Sequence, residues 1–198
     1  MSSISFLGTA LGLGAAAGIN AWATLLVYGF LARFYPSLFS GDLAEFFAST
    51  PVLITVGAAY LVEFVADKVP AVDHVWDLIQ TFVRPFAGAV LAFGSAKEEM
   101  PGAMMILAAV IGGGAALTTH LGKAALRGAS TASTGGLANP FLSLVEDIFA
   151  FGQAVLAIFL PWVVLAMLVA LMLMLLIWGV KRRGRGDTAG VPPNSTHS

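Results

Sequence analysis

The stretch that decides the fold class runs from Trp162 to Val180 and reads WVVLAMLVALMLMLLIWGV. It carries no charged residue, and it is about as long as the roughly 20 apolar residues that an α-helix needs to cross a bilayer. The whole chain is similarly apolar, with 58% hydrophobic and only 11% charged residues. An ordinary soluble domain carries roughly 25% charged residues. These properties predict an all-α, polytopic membrane protein.

Six segments of the chain are long and apolar enough for a crossing helix. A proline stands at the start of the second segment, where it suits the first turn of a helix. The third segment begins with charged residues and contains Pro85, so it is predicted to be kinked or partly re-entrant. The six run from Ser5 to Arg33, Pro51 to Asp67, Val72 to Phe93, Ala103 to Arg127, Pro140 to Leu160 and Trp162 to Val180.

Composition excludes several kinds of site and partner. The chain of 198 residues has no cysteine, which excludes a disulfide framework, thiolate metal sites and a cysteine nucleophile. Its net charge of −1 gives no electrostatic basis for binding nucleic acid. The N-terminus lacks the basic region of a cleaved signal peptide, so the first segment is predicted to be retained. The expected surroundings are the lipid bilayer of the cell inner (plasma) membrane.

Basic residues fall mainly on one side of a six-span arrangement. The side that carries both termini holds seven of them, and the opposite loops hold only Arg33 and Lys97. The positive-inside rule therefore places both termini in the cytoplasm, with residues 1–181 as a single transmembrane domain and 182–198 as a disordered tail. Two of the seven, in the fourth span, are interpreted as topology anchors. The seven are Lys68, Lys123, Arg127, Lys181, Arg182, Arg183 and Arg185.

Two pairs of similar segments in the sequence suggest inverted repeats at residues 5–95 and 103–181. Gly14–Asn20 resembles Gly112–Thr118, and the string AVLA occurs at 89–92 and at 154–157. Because three is an odd number of crossings, the second copy of a duplicated three-span half would insert in the opposite orientation, as in many transporters. Gly/Ala-rich membrane helices also resemble one another by composition alone, and both explanations stay open.

Glycine-rich stretches are predicted to serve structure rather than ligand binding. Gly12, Gly14, Gly18 and Gly112 to Gly114 would let helix backbones approach closely in lipid. The stretch Gly128–Asn139 is predicted to be a flexible connector. Its alternative role is an anion cradle formed by backbone N–H groups.

Most candidate functional residues lie between Tyr60 and Arg84. Tyr60, Glu63 and Asp67 are three and four residues apart, so they share one face of the second span. The connection to the third span is short, so the two spans form a hairpin. An ionised side chain in hydrocarbon needs a partner or water, and Arg84 would pair with Asp77 or, across the hairpin, with Glu63.

Three other spans add polar residues that would face the same interior. Asn20 lies in the first span, His120 in the fourth, and the adjacent acids Glu146 and Asp147 in the fifth. Adjacent helical residues point about 100° apart, so only one of these two acids is expected to face a shared cavity. The candidate substrate- or ion-binding residues are Asn20, Glu63, Asp67, Asp73, His74, Asp77, Arg84, His120, Glu146 and Asp147.

Part of this set has the chemistry of a metal site. Glu63, Asp67, Asp73, His74 and Asp77 offer oxygen ligands and one imidazole, which suit a hard or borderline divalent cation. Their spacing matches no strong zinc motif. The sequence also contains no Gly-x-Ser-x-Gly nucleophile elbow, so no catalytic residue is assigned and an enzyme is the less favoured interpretation.

Several motifs resemble a bacterial membrane-protein family catalogued as domain of unknown function 4126. They are GAAAGINAWATLL from Gly14, YLVEFVADKVPAVDHVWD from Tyr60 and FVRPFAGA from Phe82, and NPFLSLVED from Asn139 fits the same pattern. The resemblance covers residues 5–160. It supports treating the charged residues of the second and third spans as one unit, and it implies no activity or substrate.

Three functions are compatible with this sequence. The first is a small transporter or channel for an ion or small polar solute, along a path lined by acidic residues. The second is an intramembrane, metal-dependent enzyme or carrier acting on a lipid or isoprenoid headgroup. The third is an accessory subunit of a larger membrane complex, in which the charges form structural ion pairs. Either a homo-oligomer or a membrane partner subunit would fit the uniformly apolar sixth span.

Overall fold

A computed structural model of the chain describes the backbone of residues 3–68, 70–96 and 100–187, and the side chains of 4–68, 76–96, 100–174 and 176–177. Within these residues the secondary structure is entirely helical, as predicted, apart from turns. The helices are α1 (Ser3–Ile19), α2 (Ala21–Phe34), α3 (Asp42–Ala48), α4 (Thr50–Ala66), α5 (Pro70–Gly94), α6 (Gly102–Thr134), α7 (Asn139–Phe159) and α8 (Pro161–Asp187), with a 3₁₀ turn at Pro36–Leu38.

Helices α6 and α7 are each long and apolar enough to cross a membrane. A third span is available if α3 and α4, which meet at an angle of 65°, are taken together. Helices α1 and α2 and the first part of α8, Pro161–Met174, are apolar but shorter. The described helices therefore suggest a membrane protein, in agreement with the composition.

The first predicted span consists of two helices, because the helix is interrupted at Asn20. The backbone of Asn20 is extended, with φ −147° and ψ 106°, and its side-chain oxygen accepts a hydrogen bond from the Ala23 N–H. Asparagine is among the best residues for starting a helix in this way. The prediction of one continuous helix from Ser5 to Arg33 was therefore wrong, although both halves are helical.

The third predicted span is more regular than the sequence suggested. Helix α5 runs without interruption from Pro70 to Gly94 and includes Pro85 within it. At about 1.5 Å per residue, its 25 residues extend roughly 37 Å. The described backbone gives no re-entrant segment here, and the irregular positions lie instead at Asn20 and at the bend between α3 and α4.

The connector after the fourth span is shorter than predicted. Helix α6 continues to Thr134 and ends in left-handed glycines, with φ of 63° at Gly135 and 85° at Gly136. Most of the predicted flexible loop Gly128–Asn139 is therefore helical. The predicted tail at 182–198 is described only as far as Asp187, where α8 ends.

Small residues let α1, α5 and α6 cross at close range. A Cβ atom added at Gly14 would lie 2.7 Å from Gly112 Cα, and one at Gly88 would lie 2.6 Å from Ala116 Cβ. Real Cβ atoms do not approach other atoms this closely. The packing role predicted for Gly12, Gly14, Gly18 and Gly112 is confirmed, whereas Gly114 faces open space.

The substitution Gly112→Val should destabilise the fold through this crossing. Overpacking of a tight contact typically costs about 1–3 kcal/mol, and a side chain here would meet Ala92 and the Gly88 carbonyl. Gly114→Val makes the same chemical change two positions along the same helix, where a Cβ has no neighbour within 4 Å. Denaturant unfolding in detergent should separate the two variants, and equal stability would contradict this account of the crossing.

Candidate functional site

Charged side chains from four helices meet inside the apolar bundle. They come from the end of α4, the middle of α5, the second half of α6 and the first half of α7, and they adjoin the break between α1 and α2. Most are less than a tenth exposed. The described members of this charged network are Glu63, Asp67, Asp77, Arg84, His120, Lys123, Arg127, Glu146 and Asp147.

An ion pair between α4 and α5 forms the first part of the network. The Nη2 atom of Arg84 lies 2.8 Å from Glu63 Oε1, and both side chains are fully buried. The Nη1 atom lies 4.0 Å from Asp77 Oδ1, and the Asp77 side chain is 25% exposed. Both partners anticipated for Arg84 are therefore present, with Glu63 the closer one.

His120 extends this ion pair towards Asp77 and has a defined tautomer. Its Nδ1 atom lies 2.7 Å from Arg84 Nη1, and since a guanidinium can only donate, Nδ1 must be the acceptor. In the neutral ring Nε2 then carries the hydrogen and donates it to Thr81 Oγ1 over 3.0 Å. The Thr81 hydroxyl donates in turn to the Asp77 carbonyl oxygen. A hydrogen-bond chain therefore links Arg84 to the Asp77 backbone.

Two acids and two bases form the second part, called here the paired cluster. Arg127 Nη2 lies 3.1 Å from Asp67 Oδ2 and 2.9 Å from Glu146 Oε2. Lys123 Nζ lies 3.6 Å and 3.2 Å from the same two oxygens. The Ser143 hydroxyl donates to Asp67 Oδ2 over 3.4 Å. The formal charges within the paired cluster balance.

The helix break at Asn20 is joined to the network on both sides. Asn20 Nδ2 donates to Asp147 Oδ1 over 2.8 Å, and Lys123 Nζ donates to the Ile19 carbonyl oxygen over 3.0 Å. A helix ends with partly negative carbonyls and begins with partly positive N–H groups. The lysine therefore contacts the negative end of α1, and the carboxylate lies beside the positive start of α2.

The network contains more acid than base. Outside the charge-balanced paired cluster, the described acids of the network are Glu63, Asp77 and Asp147. Arg84 pairs with the first two, and Asp147 accepts from the neutral Asn20 amide. Each of the five carboxylates also has one buried oxygen without a hydrogen-bond partner among the described residues. These oxygens are Glu63 Oε2, Asp67 Oδ1, Asp77 Oδ1, Glu146 Oε1 and Asp147 Oδ2.

The structure brings together most of the residues that the sequence singled out. Glu146 and Asp147 both face the interior, contrary to the expectation for adjacent acids, but they contact different partners. The side chains of Asp73 and His74 lie outside the described residues. In the described part of the chain, no three histidine or acidic side chains are grouped in a way that could hold a metal ion.

Several buried polar residues were not among the predicted site residues, including Lys123, Arg127, Ser143 and Gln80. Lys123 and Arg127 were interpreted as topology anchors, although they share a helix face with His120 at spacings of three and four residues. Ser143 lies one turn before Glu146 and Asp147 on α7. The Gln80 amide oxygen can accept from the indole N–H groups of Trp76 and Trp22 at 3.1 and 3.2 Å. No sequence signal distinguished Gln80 from other polar residues on α5.

Two pockets have charged residues in their lining. One of about 440 Å³ adjoins the network and is lined by Asp77, Arg127 and Asn139 among others. The other, of about 380 Å³, contains Arg33 and Glu45 and lies at the far end of α2, roughly 20 Å from Asn20.

The comparisons with known proteins gave one finding. A family model described as "Domain of unknown function (DUF4126)" matches residues 7–182. No curated protein and no solved structure matches the chain. The match includes every described residue of the charged network.

Proposed function

Because this chain belongs to the family described as domain of unknown function 4126, and that description gives no activity, we propose a function from the charged network alone. The protein is a small integral membrane transporter or channel for an ion or small polar solute, and the network is its binding region. The observation that carries this proposal is the excess of acids over bases in the network, in which each carboxylate has a buried oxygen without a hydrogen-bond partner among the described residues.

The proposal requires six crossings, formed by α1 with α2, by α3 with α4, and by each of α5 to α8. Helices of 17 and 14 residues, as α1 and α2 are, extend only about 25 and 21 Å, short of the roughly 30 Å of hydrocarbon. Together they are long enough. Broken helices whose ends face buried polar groups are frequent in transporters, where they form ion and substrate sites.

We also propose that both termini face the cytoplasm. Lys123 and Arg127 are buried and no longer count as loop charges. The remaining basic residues on that side are Lys68 and those between Lys181 and Arg185, against Arg33 and Lys97 opposite. The bias is smaller than the sequence count suggested, but it has the same sign and supports the same orientation under the positive-inside rule.

The energetic argument for ion binding starts from burial. A charged group in hydrocarbon or in a dry protein interior costs several kcal/mol unless it is paired or neutralised. Arg84 cannot fully compensate both Glu63 and Asp77 while Asp147 has only an amide as partner. A proton or a bound cation would supply the missing positive charge. The pocket of about 440 Å³ beside Asp77 is the proposed entry for that charge.

The other two functions receive less support from the described residues. A metal-dependent enzyme needs a group of ligands, and the acids and histidines with described side chains, which do not include Asp73 and His74, do not form one. An accessory subunit whose charges are purely structural would be expected to pair them completely. The buried carboxylate oxygens without a hydrogen-bond partner among the described residues do not fit that expectation.

Flux measurements on two carboxylate variants test the proposal. Glu63→Gln and Asp77→Asn keep the size of each side chain and remove its charge, so both should insert normally and abolish flux in proteoliposomes. Asp42→Asn, on the exposed start of α3, is the control and should transport like the wild type. Efflux of a panel of monovalent cations, protons and small polar solutes gives the readout. Normal flux in both network variants would refute the proposal.

A further inference from the structure

Asp147 differs from the other acids of the network in having no ion-pair partner among the described residues. It is only 4% exposed. Its Oδ1 atom accepts from the neutral Asn20 amide, and its Oδ2 atom is buried without a hydrogen-bond partner. By contrast, Glu146 next to it contacts both Lys123 and Arg127. Asp147 is therefore the acid of the network whose negative charge is least compensated by the described positive groups.

The surrounding groups do not offset the free-energy cost of burying an ionised carboxylate at this position. The charged groups acting on it are Lys123 from α6 and Lys68 and Asp67 from the end of α4, and the Tyr60 phenol also faces it. Lys123 is already held by Asp67, Glu146 and the Ile19 carbonyl, and Lys68 donates to the Phe64 carbonyl. The start of α2 contributes a helix dipole, which is typically worth about 0.3–1 kcal/mol and at most ~2.

A proton fits this position better than a metal ion. Hard metal ions take about six or more oxygen ligands. The described surroundings of Asp147 offer its own free oxygen, while the Asn20 oxygen is bonded to the Ala23 N–H and the Ile19 oxygen to Lys123. A proton needs only the one carboxylate oxygen. It also turns an unpaired charge into a neutral group.

We propose that Asp147 is the proton-binding site of this protein, and that it couples proton binding to the helix break at Asn20. This inference rests on the proposed transport function and names its coupling ion. Water gives a proton to Oδ2 when one side of the membrane has access, and the proton returns to water when the other side has access. Each turnover then moves one proton through Asp147, and no further reactant is needed.

The contact with Asn20 gives the coupling its physical basis. Hydrogen bonds to an ionised acceptor are roughly twice as strong as those to a neutral one. The Asn20 amide therefore holds α7 more firmly when Asp147 is ionised than when it is protonated. Since Asn20 is the residue at which α1 ends and α2 begins, protonation loosens one attachment of this break and leaves the Lys123 contact with Ile19 in place.

Infrared spectroscopy of the purified protein tests this inference without any transported solute. A protonated carboxylic acid has a carbonyl band separate from those of amides and carboxylates. The wild type should show such a band, which should change reversibly with pH, and Asp147→Asn should lack that component. Asp42→Asn should keep it, because Asp42 lies on the exposed start of α3. The inference is overturned if the band is missing at every pH, does not respond to pH, or persists in Asp147→Asn.

A second variant keeps the test decisive if the first one misfolds. Asparagine can keep an oxygen towards Asn20 and place an N–H group where the protonated oxygen would be, so Asp147→Asn imitates the protonated state. If it nevertheless fails to fold, Asp147→Glu keeps the acid and should shift the band rather than remove it. An unshifted band in that variant would assign the proton to another residue.

Flux measurements then separate this inference from the proposed function. In proteoliposomes, wild-type flux should respond to an imposed pH gradient, and flux through Asp147→Asn should not. A pH-sensitive Asp147 band without any flux would leave the proton site standing and refute transport. Flux that follows a sodium gradient and ignores the pH gradient would leave transport standing and overturn the proton site.

Discussion

Replacing Arg84 with methionine is expected to lower the free energy of unfolding by about 3–5 kcal/mol, the cost of removing one partner from a buried ion pair. Glu63 would be left fully buried without its 2.8 Å partner, and His120 would lose the donor to its Nδ1 atom. The volume of methionine limits the accompanying cavity. Denaturant unfolding of the purified protein in detergent measures the change.

Two further variants show whether the loss comes from the buried, unpaired charge of Glu63. The double variant Arg84→Met with Glu63→Gln removes both charges and should recover a large part of the stability. Arg33→Met removes an exposed arginine at the end of α2 and should stay within about 0.5 kcal/mol of the wild type. If the double variant is no more stable than Arg84→Met, the Glu63–Arg84 pair is not the source of the effect.

Lys123→Met should give the second large effect, a loss of about 3 kcal/mol for the removal of one member of a buried charge cluster. The lysine side chain is 4% exposed, and it lies between Asp67, Glu146 and the Ile19 carbonyl oxygen. Without it, Arg127 is the remaining described base beside the two carboxylates, and the end of α1 loses one hydrogen bond to α6. Chemical unfolding of the variant in the same detergent measures the loss.

Lys68→Met is the matched control for this prediction. Lys68 is also partly buried near the network, but its ammonium donates to the Phe64 carbonyl of its own helix and lies 3.2 Å from the centre of the Phe64 ring. A cation–π contact of this kind is worth about 0.5–1 kcal/mol. We therefore expect a loss of that size. Equal losses in the two lysine variants would show that the carboxylate contacts of Lys123 contribute little.

The ion pair between Glu63 and Arg84 was accessible to sequence reasoning because it depends on local rules. Helical spacing placed Glu63 and Asp67 on one face, and a short connection made neighbours of the second and third spans. The energetic cost of an unpaired charge then left few partners for Arg84. The structure has the same pair at 2.8 Å.

The paired cluster was missed because of a helix boundary. With the fourth span taken to end at Arg127, Lys123 and Arg127 fell at a membrane surface, where basic residues usually mark topology. Helix α6 in fact continues to Thr134. Two more turns of helix place these bases inside the bundle, beside Asp67 and Glu146. The Gly-, Ser- and Thr-rich residues after Arg127 indicated a connector, although they continue the helix.

The break at Asn20 was missed for a different reason. Hydropathy is high on both sides of the residue, so a pattern of apolar residues indicates one continuous helix. The interruption depends on the Asn20 side chain, which caps α2 locally but also donates to Asp147, 127 residues further along the chain. A contact of this range has no signature in the neighbouring residues.

The apolar stretch from Trp162 to Val180 thus determined the fold class by itself. Helices satisfy their own backbone hydrogen bonds, as lipid surroundings would require, and a chain so poor in charge is therefore predicted to be helical in its apolar runs. The tertiary structure alone decided where those helices break and which charges meet. Hydrophobicity is summed along the chain and can be read from it, whereas the pairing of buried charges depends on distances between helices that are far apart in sequence.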